Sequence, residues 1–96
     1  MQVLFGYHAS QRLEQRFGIR CNQGTEVDIS TAFKKVRTYE HFTTHNLVEA
    51  WAGLDRSHPM LLIVDKVSRT VITVIHFDEN TPEFYSELYR SAFADI

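Results

Sequence analysis

One cysteine, two prolines and four glycines are all that this chain of 96 residues holds of its most constraining residue types. A lone thiol, Cys21, excludes an internal disulfide framework and any multi-cysteine metal site, and it suits a reducing cytoplasm. No apolar run approaches the ~20 residues of a membrane span. The longest, Met60–Val64, has the length of a strand. The opening Met1-Gln2-Val3-Leu4-Phe5 lacks a basic segment followed by a long apolar one, so no signal peptide is expected. There is no excess of basic charge either: Lys and Arg number 10 against 12 Asp and Glu, for a net charge of -2. That balance argues against a protein that coats RNA wholesale and leaves a local basic cleft open. Repeats and low-complexity segments are also missing.

What is present is ordinary globular material. Hydrophobic residues make up 44%, with 7 Phe, 4 Tyr and 1 Trp to bury, which speaks against wholesale disorder. The length suits one domain, 1–96, and two would each lack a core. Charge is uneven. Residues 1–40 carry +2 and residues 41–96 carry -4, so a polyanion is expected to meet the first half.

Gln2 to Tyr7 reads as a short strand. From His8 a helix is predicted, with Ala9, Leu13 and Phe17 on one apolar stripe and Gly18 as its stop. Thr25 looks like a helix cap. Ile29, Ala32, Phe33 and Val36 follow at i, i+3, i+4, i+7, which predicts a second helix over 26–37 with Lys34, Lys35 and Arg37 on its outer side. The segment 45–54 fits either a helix or a strand, and the turn-rich Asp55–Pro59 after it tips the reading to strand. Met60–Val64 and Thr70–Phe77 read as an antiparallel hairpin. Thr81-Pro82-Glu83 opens a last helix with a broad apolar face. The expected fold is α+β: an N-terminal strand and two helices packed on a small antiparallel sheet, with a C-terminal helix and the helices on one sheet face.

His8, Arg12 and Arg16 recur every four residues, about 100° round the first helix from its buried stripe. Within the run His8 to Ile19 they form the pattern H-A-x-x-R-x-x-x-R-x-G-I. This run resembles the opening of small uncharacterised bacterial and phage domains grouped with RelE/ParE- and BrnT-type toxins. The resemblance implies a toxin-like, metal-independent endoribonuclease with no cofactor. Such cleavage drives a 2′-OH onto the adjacent phosphate, which needs a base, an acid and cations on the phosphate. His8 would be base or acid, Arg12 would hold the reacting phosphate, and Arg16, Lys34 and Lys35 would hold neighbouring ones. The sheet would add His76 or Thr73, which strand alternation puts on opposite faces, Thr73 with Val71 and Ile75.

A blander reading stands beside this one. A histidine at a helix start can simply cap or pack, and arginines beside an apolar stripe can lay their stems over the core. The alternative function is a non-catalytic regulator, of a kind a phage could encode, that binds a protein or a nucleic acid. His41 and His45 suit zinc only on a helix, so no metal is expected. Tyr85, Tyr89 and Phe93 either complete the core or form the face of a homodimer or protein partner.

Overall fold

The computed structural model describes residues 1–17 and 26–94. Its elements are β1 (Gln2–Phe5), α1 (Tyr7–Phe17), β2 (Glu26–Asp28), β3 (Phe33–Glu40), β4 (Leu47–Gly53), β5 (Met60–Asp65), β6 (Thr70–His76) and α2 (Glu83–Ser91). The class is α+β. Gly18, Cys21 and Thr25, with their expected roles, lie outside the described residues.

The six strands form one sheet in the order β2-β1-β6-β5-β4-β3. It is mixed and not purely antiparallel, because β1 runs parallel to β6 through Leu4–Thr70 and Phe5–Val71. The remaining pairs are antiparallel. The two edge strands, β2 and β3, are consecutive in the chain. Five strand spacings in a flat sheet would part them by roughly 24 Å. The link 29–32 spans at most about 18 Å even if fully extended. It is folded instead, with the N–H groups of Ala32 and Phe33 both donating to Ile29 O. The sheet must therefore curl, with a concave and a convex face.

Side chains alternate along β5 and feed a separate core on each face. Met60, Leu62 and Val64 join Val3, Phe5, Ile29, Trp51, Val71 and Val74 on the concave side, where Ala9 and Leu13 of α1 plug in. Leu61 and Ile63 join Val48, Ala50 and Ala52 on the convex side, capped by Leu88 and Ala92 of α2. The helices thus cover opposite faces and not a single one.

The second helix expected over 26–37 is absent; that stretch is β2, a turn and β3. The expected helical stripe is split, with Ile29 and Phe33 facing the concave core and Val36 the convex one. Phe33 and Val36, three apart, alternate to opposite faces as a strand requires, and a turn separates Ile29 from Phe33, so the helical spacing is coincidental. A bulge between Lys35 and Arg37 then brings Val36 and Tyr39, three apart, onto the convex face. The strand reading of 45–54 and the hairpin of Met60–Val64 with Thr70–Phe77 agree with β4, β5 and β6.

The last helix begins one residue later than its cap signal suggests. Pro82 occupies the N-cap, while Thr81 Oγ1 accepts from Asp78 N and donates to His76 O. The aromatic face of α2 is spent on the convex core: Phe77 meets Tyr89, Tyr89 meets Phe93, and Phe84 meets both Tyr39 and Phe42. None of the helices among the described residues is long and apolar enough to cross a membrane.

Candidate functional site at the α1–β6 ridge

The end of β1 pairs with the start of β6, and α1 packs against β6. Burying Ala9 and Leu13 turns His8 and Arg12, one helical turn apart, outward into solvent. Arg12 Nη1 lies 3.5 Å from the half-buried Thr73 Oγ1, a long polar contact that ties the helix to the strand. The His8 ring stands edge-on to Tyr7, centroids 5.8 Å apart, and Gln11 Nε2 donates to Tyr7 Oη at 2.8 Å. His8, Arg12 and Thr73 are therefore brought to one accessible ridge. Arg16 lies on the backbone of α1, and its side chain falls outside the described residues.

Thr73 owes its position to a second bulge, in β6 opposite Ile63 and Val64, where Ile72 is the extra residue. Simple alternation pairs Thr73 with the face of Val71. The bulge puts Val71 and Val74 together in the concave core instead, and sets Thr73 opposite Ile63, whose side chain is convex. His76 lies opposite Met60, and its Nε2 is 3.5 Å from Asp78 Oδ2.

Lys34 and Lys35 do not join the ridge. As neighbours on a strand they point to opposite faces. Lys34 Nζ donates to Ala92 O at 2.7 Å, satisfying a carbonyl at the end of α2. Lys35 Nζ sits 2.7 Å from Glu49 Oε2 and matches a carboxylate that is otherwise buried. Both cations serve the fold.

Two other clusters resemble chemistry and do not supply it. Asp55, Ser57 and His58 have the residue types of a hydrolytic triad. Yet Ser57 Oγ donates to Asp55 Oδ1 at 2.6 Å, and both Ser57 and Asp55 contact the same ring nitrogen, His58 Nδ1, at 3.0 and 3.2 Å. A triad needs the two partners on different nitrogens; this one is an exposed turn. His41 and His45 also lie in a turn. His41 Nδ1 accepts from Thr43 and Thr44 N–H, and His45 Nδ1 donates to Glu40 Oε1 at 2.7 Å. Among the described residues no group of three or more His, Cys, Asp or Glu is placed to hold a metal ion.

Reading the sequence alone passes over the cations of the β5–β6 turn, Lys66 and Arg69. The only signal for them is a basic pair inside a tight connection. They border a hollow of about 310 Å³ with Met1 and Glu49.

Comparison of the chain with protein-family models, with curated proteins and with solved structures finds no match.

Proposed function

We propose that this domain is a small non-catalytic regulator that holds the phosphate backbone of RNA along the α1–β6 ridge, in a cytoplasmic setting. The observation that carries the reading is the meeting of the exposed Arg12 with Thr73, one turn from His8. A guanidinium and a hydroxyl side by side give several donors to one phosphate. An imidazole a turn away adds a donor, and a charge when protonated. These groups suffice to hold a phosphodiester. Cutting it also requires an acid and a base on either side of the phosphorus, and Lys34 and Lys35, the further cations that cleavage would enlist, are engaged in the fold.

A toxin-like, metal-independent endoribonuclease is the second reading. What favours it is the pairing of His76 with Asp78, a carboxylate–imidazole couple at the end of the strand that also carries Thr73. One experiment separates the two. Binding of a fluorescent single-stranded RNA is measured for the wild type, Arg12→Ala and His8→Ala, and the RNA is then checked for intactness. The regulator reading expects intact RNA and roughly tenfold weaker binding for Arg12→Ala. RNA cut by the wild type and spared by His8→Ala would replace it with the nuclease reading. Binding indifferent to Arg12→Ala would remove both.

A further inference from the structure

A second group of cations stands at the other end of β6. The turn from Asp65 to Arg69 is braced from within. Asp65 Oδ1 accepts from Val67 N and Ser68 N, both at 2.9 Å, and Arg69 N donates to Asp65 O at 2.8 Å. Lys66 N donates to Leu47 O at 3.0 Å, and Arg69 O accepts from Leu4 N at 2.9 Å. The backbone is thus fixed, while the side chains of Lys66 and Arg69 are exposed and have no ion-pair partner among the described residues. They border the hollow whose inner wall is Glu49. Lys35 already neutralises that carboxylate, and the ionised Asp65 of the turn offsets one of the two charges, so Lys66 and Arg69 leave the turn with a net positive charge.

The backbone of Arg69 adds a second observation. Its φ is 58°, in the left-handed region where glycine or asparagine sits with less strain. The hairpin turn places a left-handed residue here, as another turn does at His45, and glycine would fill the position at lower cost than arginine.

We propose that Lys66 and Arg69 hold a second phosphate of the same RNA strand that Arg12 and Thr73 engage; this rests on the RNA-binding reading above. Arg69, just before β6, and Thr73 are four residues apart, at most about 13 Å of extended backbone, shortened by the bulge at Ile72. A strand of several nucleotides can reach both points, and a dinucleotide held at one cannot fill the other.

The test uses the full chain and two probes, a 12-nucleotide single-stranded RNA and a dinucleotide, with binding followed against salt. Removing one cation from its phosphate lowers the slope of log K against log salt concentration by about 0.7. Lys66→Ala and Arg69→Gly are each expected to show that decrease and roughly five- to tenfold weaker binding of the 12-mer, with the dinucleotide unaffected. Arg69→Gly also relieves the backbone strain, so its Tm should hold or rise, which separates a weakened RNA site from a weakened fold. Wild-type slope and affinity in both variants, with Arg12→Ala still defective, overturns this inference and leaves the ridge reading standing. Weakening by Arg69→Gly and not by Arg12→Ala overturns the ridge and keeps the turn as the phosphate site. A wild type that binds neither probe overturns both.

Discussion

Asp28, Asp55 and Asp65 play the same part at three turns. Each carboxylate accepts the backbone N–H two residues on, from Ser30, Ser57 and Val67. All three are held below the ordinary aspartate value, because these bonds favour the ionised form. Asp28 is the strongest case, lowered to about 2, first by the Ser30 hydroxyl, then by the Ser30 N–H and then by the Met1 amine. A folded-state pKa below the unfolded value of 3.8 means that the unfolded chain binds more protons between the two. The stabilisation is therefore complete above about pH 4 and is lost as pH falls toward 2. An NMR titration should place the Asp28 carboxyl midpoint near 2, and Ser30→Ala should raise it. A wild-type midpoint at the unperturbed value would remove the argument. The carboxyl is exposed, so this is a feature of pH dependence more than of overall stability.

At the scale of elements, α2 shows how a short helix is held. Nine residues are too few to be stable alone in water, so tertiary packing must fix it. Leu88 is its buried anchor, set among Val48, Ala50, Leu61 and Ile63 of the convex core. Leu88→Ala should cost about 2–4 kcal/mol, read as a lower urea midpoint with an unchanged m-value. A change in m would mean that the helix detaches before the sheet unfolds. Lys34, bonded to Ala92 O, ties the far end of the helix to β3. β3 also shows how a strand can imitate a helix in its sequence. Its residues Lys34, Lys35 and Arg37 look like a solvated helix face, and the apolar Ile29, Phe33 and Val36 are spaced as on a helix although turn and strand send them to different faces. The bulge in β6 brings Val71 and Val74, three apart, onto one face. In α1, and along β5 from Met60 to Ile63, no bulge intervenes, and the apolar pattern and the observed element agree.

The molecule as a whole is organised around β5, which is paired on both sides and buried along nearly its whole length. Backbone N–H groups of Leu61 to Val64 should exchange with solvent only through global unfolding, and those of the edge strand β2 much faster. Equal rates for β5 and β2 in hydrogen-exchange NMR would contradict this sheet order. Tertiary structure alone decided how the edges are managed. The link 29–32 forces the sheet to curl, and Ile29 pins that link in the concave core. No local pattern encodes such a closure, because it depends on strands far apart in the chain. The candidate site divides in the same way. Periodicity on one helix was enough to set His8 and Arg12 on a common exposed face, since a helix fixes neighbours at i and i+4 by itself. Which strand residue would meet them, and that Lys34 and Lys35 would be consumed by Ala92 and Glu49, depended on strand register and on partners more than ten residues away. Local composition and spacing thus determined the α+β class, the elements β1, α1, β5, β6 and α2, and the exposed ridge of α1. Long-range pairing, two bulges and the curl of the sheet decided the faces, the registers and which cations remain open to a ligand.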